Sequence, residues 1–553
     1  MVVETTLFQP GPAFVQWLLT MVACCVIATL VGLVASLTSY GSAGPRVVLE
    51  TLGRGLRDLI FLSPKRILAV AILTFKEASR RKAFMIGFLF LLLFMFGGWF
   101  LGTNNVEKPA KPYVIFVITS MNFLLILMAL LVSCWGIPAD IKARSLHTVV
   151  TKPVRRSEIL MGRMLGYASV ITLVLLCTAT VGYFWIVGKV PALAQDQLMA
   201  RVPYYSSNLS FLDRNGNQAA SGINVGDIWE YRSFIEGGTK ARAQWTFENL
   251  DAASLKKAVV KGEEADKVLR IEQSFEAFRT YKGDVRQQLR YNLSLYNPSK
   301  NLRVPFGTFS VEEHSVEADA ATVEIPLELT YTDSSDTDSA VKTVSLADDL
   351  IDNGKLIVEI SAMDPQQYIG VAQHDLFIRL PDKLFVTTYA KSCLGLWLLL
   401  MLIVIIGTSS SCFVKGPVAT ILTGSLIFIG FVFRDQIDKT LATLALNQQV
   451  LGGGSFESIY RLLTQMNQQS PLPDNIGTDM IKFLDQGVFG MLRVVNALIP
   501  DLQYFSTSEY PANGFDVPWG AMLLPSLLIT LAYLIPMIVL GYFSLQLREL
   551  EHK

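Results

Sequence analysis

Apolar residues in this chain run in long blocks, separated by two extended polar stretches. Seven blocks approach or exceed the roughly 20 residues that a helix needs to cross hydrocarbon. They are Phe14–Leu37, Phe84–Leu101, Tyr113–Ile137, Met164–Val187, Ser392–Val414, Val418–Phe433 and Trp519–Leu545, the sixth being the shortest. Between the fourth and fifth blocks, residues 188–391 are polar and long enough for a domain of their own. Residues 434–518 form a second polar stretch.

The pattern changes inside those stretches. Leu289, Tyr291, Leu293 and Leu295 alternate with polar residues, as do Val323, Ile325, Leu327 and Leu329, and Trp245 and Phe247 share one face. A two-residue period predicts half-buried strands, with the acidic run 333–338 as a hairpin tip and one short helix over 256–267. The expected fold class is therefore an α-helical polytopic membrane protein of about seven transmembrane helices. It carries an inserted extracytoplasmic β-rich domain, read as a jelly-roll-like sandwich. In 434–518 the spacing turns helical: Phe483, Leu484, Val488, Met491, Leu492 and Val495 fall on one face. Such helices either dip into the outer leaflet or cap the bundle.

Composition agrees with lipid: 51% of the 553 residues are hydrophobic and only 17% charged, against about 25% charged in soluble domains. The net charge of zero conceals polarity along the chain. Residues 38–83 carry nine Lys/Arg against three acids, and 138–163 carry six against two. Residues 188–391 carry 22 against 29, and 434–518 five against nine. Positive charge gathers on the cytoplasmic side. Seven alternating spans then put the N-terminus outside, both basic segments and the tail 546–553 inside, and both polar stretches outside, in the cytoplasmic (inner) membrane. Met1–Glu4 lacks a basic leader, so residues 1–37 read as an extra permanent span.

The segment from Lys65 to Lys82 is apolar through Phe75 and then basic. It reads as an interfacial elbow helix on the inner leaflet, with Lys76, Arg80, Arg81 and Lys82 at headgroup level, or as a basic flank that fixes orientation. The rest of 38–83 reads as linker.

Candidate chemistry is sparse. All six cysteines (Cys24, Cys25, Cys134, Cys177, Cys393 and Cys412) fall in predicted spans, which excludes a disulfide framework outside the membrane. Asp213–Asn217 opens like a calcium loop but lacks its later Gly and Glu, so an Asn-Gly turn is expected. The acidic run 333–338 reads as a solvated turn rather than a weak cation site, and His314 and His374 lack metal-ligand spacing, so no metal is expected. No GK[ST] phosphate loop, HExxH or GxSxG occurs. No predicted span buries the carboxylate that a proton- or sodium-coupled carrier needs. The chain is not expected to be an enzyme, and any energy for movement must come from a partner.

Residues 138–163 then stand out. Pro138–Val150 reads as a short surface helix, Pro153 breaks it, and Ser157 is placed to cap the next span. The result is a basic knuckle between two spans, although tight inner loops are often basic for orientation alone. Its order, IPADIKARSLHTVVTKPVRRSEILMGRMLG, resembles the inner loop of type-2 ABC-transporter permeases. The matching positions are Thr151, Lys152, Pro153, Val154, Arg156, Glu158, Ile159, Gly162, Arg163 and Gly166. The nearest group is similar to the copper-cluster maturation and gliding-motility permeases, and Phe75–Phe84 is similar to their elbow helix. The family's usual acidic-small motif before the loop helix is replaced around Arg144–Leu146.

The resemblance implies a six-span core over spans two to seven, and a loop that docks as a coupling helix on a separate cytoplasmic ABC ATPase. That partner would bind ATP and Mg, this chain holding no cofactor. The other expected partners are a second permease copy and membrane lipid, with no nucleic acid. The coupling residues implied are Asp140, Lys142, Arg144, Thr151, Lys152, Pro153, Arg155, Arg156 and Glu158. Gly162 and Gly166 are expected to allow close helix packing. The expected function is an ABC-transporter permease subunit exporting or extracting a substrate. Two alternatives stand beside it: a mechanotransmission or anchoring protein that moves its outer domain without transport, and a membrane-anchored outer binding module.

Overall fold

The computed structural model describes residues 8–80, 89, 97, 110–142, 154–223, 232–250, 252–260, 267–279, 288–311, 321–332, 341–445, 454–467, 470, 472–473 and 475–550. The second expected span lies outside them apart from two positions, as do residues 143–153 of the inner loop, Arg81, Lys82, His314 and the acidic run 333–338. The chain divides into two compact units.

The helical unit follows the hydropathy blocks. Its principal helices are α1 (Pro10–Tyr40), α2 (Gly44–Ile60), α3 (Pro64–Arg80), α4 (Ala110–Lys142), α5 (Arg156–Lys189), α6 (Phe385–Phe413), α7 (Gly416–Val432), α8 (Arg434–Ala445), α9 (Ser455–Thr464), α10 (Ile476–Leu498) and α11 (Leu524–Leu550). Among the described residues five helices are long and apolar enough to cross a membrane, and a sixth span is available if α7 and α8, bent by 55°, count as one. The protein is thus a helical membrane protein carrying a β-sheet-rich region.

Helix α6 is the inner post of this unit, most of its apolar stretch being covered by neighbours. It packs through small and hydroxylated residues, as expected where lipid supplies no hydrophobic drive between helices. Thr408, Ser409, Ser410, Ser411 and Cys412 are all buried, and the Ser409 hydroxyl donates to Met537 O of α11 at 2.7 Å. A Cβ added at Gly407 would stand 2.3 Å from Ser133 Oγ of α4. Trp397 donates to Thr172 of α5 at 2.8 Å, and Tyr389 to Ala179 O at 3.0 Å. None of the described cysteines forms a disulfide.

The helical spacing expected in the second polar stretch appears as α9 and α10, with polarity turned inside out. The carboxylate of Asp485 is buried and accepts from the N–H groups of Phe456 and Glu457, both at 2.9 Å, which caps α9. Arg461, also buried, pairs with Glu457 at 2.6 Å and donates to the carbonyls of Asn467 and Ser470. The apolar residues Leu462, Leu463, Ile476, Phe483 and Met491 are exposed.

The other unit spans residues 199–387 with 514–516. Its strands are β1 (Met199–Tyr205), β2 (Asn208–Leu212), β3 (Gln218–Ala219), β4 (Ser233–Glu236), β5 (Arg242–Phe247), β6 (Val268–Gln273), β7 (Glu276–Arg279) and β8 (Leu289–Asn297). They continue as β9 (Leu302–Val311), β10 (Ala321–Pro326), β11 (Glu328–Thr332), β12 (Val341–Ser345), β13 (Leu356–Ala362), β14 (Gln367–Val371) and β15 (Leu376–Leu384). All paired strands are antiparallel, in sheets ordered β3-β2-β5-β13-β8-β9, β1-β15-β6-β10, β4-β14-β7 and β11-β12. One core joins them, built on Trp245, Phe247, Ile271, Leu293, Leu295, Val358 and Ile378.

The alternation in 289–295 and the Trp245/Phe247 pair face this core as expected. The run from Val323 to Leu329 is instead two strands in different sheets, because Pro326 ends β10 and the chain bends at Leu327. The helix expected over 256–267 lies earlier, at Ala252–Ala258, and Val260 is already paired with Val268. The strands flanking the acidic run do pair as a hairpin.

At the Asn-Gly turn, Asp213 Oδ1 accepts from Asn215 N at 2.9 Å and Asn217 N at 2.8 Å, and Gly216 takes φ +91°. The backbone N–H of Asn217, foremost among these donors, holds the Asp213 carboxyl below its ordinary range. Within the six-stranded sheet, Glu359 is fully buried between Arg242 at 3.0 Å and Arg303 at 2.6 Å, and Gln244 donates to its other oxygen. Residues 514–516 join the unit by charge: Arg201 lies 4.3 Å over the Phe515 ring and Lys383 pairs with Asp516 at 2.8 Å.

Trp245 is completely buried and donates to Gln373 O at 3.1 Å. Truncation to alanine should cost the β unit about 3–5 kcal/mol. Pulse proteolysis of the intact protein across a urea series should show the β-unit fragment lost at a lower midpoint in Trp245→Ala, whereas an unchanged midpoint would contradict this core.

Candidate functional site

The two described sides of the inner loop are helix ends. On the entering side the span does not stop at Ile137: α4 continues through Pro138 to Lys142. The short surface helix expected from Pro138 therefore does not begin there. A proline forfeits a single hydrogen bond in a helix and is tolerated when neighbours support it. Asp140 is accordingly buried in α4, and Lys142 is exposed at its end. On the leaving side α5 starts at Arg156 with Arg155 at its N-cap. Ser157 is inside the helix and does not cap it; its hydroxyl donates to Asp58 O at 2.8 Å.

Glu158 organises this end. Its side chain is fully buried. One carboxylate oxygen accepts from Arg155 N at 2.9 Å, closing the first turn of α5 as an acidic residue at the third helical position can. The other accepts from Ser63 N at 2.9 Å, immediately before α3. Arg66 of α3 stands 3.4 Å away as counter-charge. One negative charge thereby meets the positive ends of two helices, the arrangement a helix dipole favours.

Arg155 completes the joint from the opposite sign. Its guanidinium donates to Arg57 O at 3.1 Å and Phe61 O at 2.5 Å, carbonyls at the C-terminal end of α2, and lies 3.7 Å from Asp58. Tyr542 of α11 donates to the other Asp58 oxygen at 2.9 Å. Helices α2 and α3 thus meet α5 at residues 155–158, and α11 joins them through Asp58.

One turn further, Gly162 and Gly166 set the α3–α5 separation. A Cβ on Gly162 would fall 2.6 Å from Val70 Cβ, and one on Gly166 would fall 2.4 Å from Thr74 Cβ and 2.9 Å from Ala71 O. The close packing expected of this pair is present, and it serves the elbow helix. Between the two glycines Arg163 is buried, 2.6 Å from Glu77 of α3 and 2.5 Å from Asp140 of α4. This triad ties the entering and leaving arms of the loop to each other and to α3.

The sequence-predicted residues therefore divide. Asp140, Arg155 and Glu158 are engaged in holding helices together, and Arg156 is half-buried. Lys76, Arg80 and Lys142 are exposed. Arg144, Thr151, Lys152 and Pro153 lie outside the described residues. Missed in the sequence were Asp58, Ser63, Glu77 and Tyr542, whose distance along the chain from the loop hides them, and all of α2, which read as linker. A signal for α2 existed: Pro45 at its first turn, then apolar residues at 49, 52, 56 and 60. Among the described residues no group of three or more His, Cys, Asp or Glu could hold a metal ion. Neither a protein-family model nor a curated protein sequence matches the chain.

The triad makes a directional prediction. Arg163→Met strands the buried Asp140 carboxylate and should cost several kcal/mol, whereas Arg163→Met with Asp140→Leu removes the stranded charge and should recover part of the loss. Thermal inactivation in detergent should rank wild type above the double variant and the double above the single. A double variant worse than the single would refute the pairing.

Proposed function

We propose that this chain is the membrane-spanning permease subunit of an ABC transporter, driven by a separate cytoplasmic ATPase that binds ATP and Mg, and exporting or extracting its substrate. The observation that carries the reading is the motif order Thr151–Gly166, whose second half is a joint on which α2, α3, α5 and α11 converge. A push on residues 143–153 would reach four helices at once through Arg155, Glu158 and Arg163. The absence of a phosphate loop from the sequence calls for an external motor.

On this reading the chain works as a homodimer or heterodimer in the inner membrane. Residues 84–101 are then the second of seven spans, with the N-terminus outside and the C-terminus inside. The β-rich domain, a jelly-roll-like sandwich, is extracytoplasmic. The exposed apolar residues of α9 and α10 suit them to the outer leaflet, because their polar groups are satisfied internally. The size of the β unit, with a core of its own, favours mechanotransmission as the second reading: the same joint would move that domain without transport.

The docking charges are Lys142 and Lys152 rather than Arg155, which is occupied by α2. Lys142→Glu with Lys152→Glu should lower co-purification of the ATPase severalfold while leaving the protein in the membrane. Equal recovery of the ATPase from the variant would contradict the coupling role. Substrate-independent ATPase activity after reconstitution, together with loss of function when the β domain is deleted, would favour mechanotransmission.

A further inference from the structure

Helix α2 is amphipathic in a way that its contacts inside the protein do not use. Leu49, Leu52, Leu56 and Ile60 recur at helical spacing, and with Phe61 they form an apolar stripe that is 37–69% exposed. At about 100° per residue, Arg46, Arg54 and Arg57 line one flank of that stripe, with Glu50 among them. The Arg46–Glu50 pair at 3.1 Å is itself exposed. The other flank is used: a Cβ on Gly55 would stand 2.9 Å from Phe543 and 3.2 Å from Tyr542 of α11. So α2 rests one side on a spanning helix and presents leucines and arginines outward.

Its position is fixed by α1. Three residues separate the two helices, and the corner is tight, since Ser36 Oγ donates to Gly44 O at 2.8 Å and a Cβ on Gly44 would lie 2.8 Å from Ser36 backbone. Helix α1 is a candidate span with none of its apolar window buried. A helix that begins three residues beyond the end of a span lies at the boundary of hydrocarbon and headgroups. There an apolar stripe meets acyl chains and arginines meet phosphates.

We propose that α2 is an in-plane binding helix for anionic phospholipid, with Leu49, Leu52, Leu56 and Ile60 in the acyl region and Arg46, Arg54 and Arg57 on lipid phosphate. Charge complementarity selects this occupant over a neutral leaflet or another apolar helix. Bound lipid would also bear on the loop joint, because the last carbonyls of α2 are the ones Arg155 holds. The binding surface itself stands independently of any ATPase partner.

The test uses the full chain in vesicles of phosphatidylcholine, alone or with phosphatidylglycerol, each at two protein-to-lipid ratios. Amide exchange over residues 46–60 should slow about fivefold or more with phosphatidylglycerol, the size of a single arginine–headgroup attraction. The variant R46Q/R54Q/R57Q should lose that difference, and R46K/R54K/R57K should keep it. Exchange insensitive to phosphatidylglycerol, or equally sensitive in the glutamine variant, would overturn the proposal. Slowing that follows protein density instead of lipid charge would assign the stripe to a second copy and overturn it too.

Discussion

A single buried carboxylate governs the architecture around the inner loop. Glu158 has no exposed surface, and burying a carboxylate without partners costs many kcal/mol. The protein offsets that cost by aiming two helix N-termini and one guanidinium at it. Those donors belong to α3 and α5, so the charge can be buried only while the two helices are held at this junction. Gly162 and Gly166 provide the close approach that makes this possible, and Arg163 repeats the same balance one turn deeper.

The joint explains why a loop rich in arginine need not be a loop of free arginines. Arg155 is spent on the carbonyl end of α2 and Arg163 on the buried Asp140 and half-buried Glu77, while Lys142 stays exposed. Positive charge in the segment is therefore partly structural, and on the proposed reading only the exposed part is left for a partner. On the proposed reading, force applied outside α5 is delivered to buried ion pairs and hydrogen bonds, which yield less readily than apolar sliding contacts.

Much of this was legible in the sequence where one physical signal dominated. Long apolar blocks located α1, α4, α5, α6, α7 and α11, since nothing else in a chain satisfies the hydrocarbon. Strict alternation located β5 and β8, whose side chains reach a single core. Legibility failed where a local signal met a distant partner. Pro138 looked like a boundary, yet the bundle carries α4 past it. Ser157 looked like a cap, yet Glu158 and Arg155 share that work and the serine turns to α2. The run through Pro326 looked like one strand because periodicity does not show that a proline shifts the chain into another sheet. Asp58, Glu77 and Tyr542 could not be assigned to the joint, for nothing near them in sequence marks the residues they meet. In α9 and α10 the apolar faces were readable, while the buried Asp485 and Arg461 that hold them were not.

The central claim is that the Glu158 carboxylate pins α3 to α5 at this joint, and it can be read as a distance. Spin labels on exposed positions Leu68 of α3 and Leu173 of α5 would report their separation by pulsed dipolar spectroscopy, in wild type and in Glu158→Ala. The account predicts one narrow distance distribution in wild type and a broad or shifted one in the variant. Equally narrow, unshifted distributions in both would contradict it.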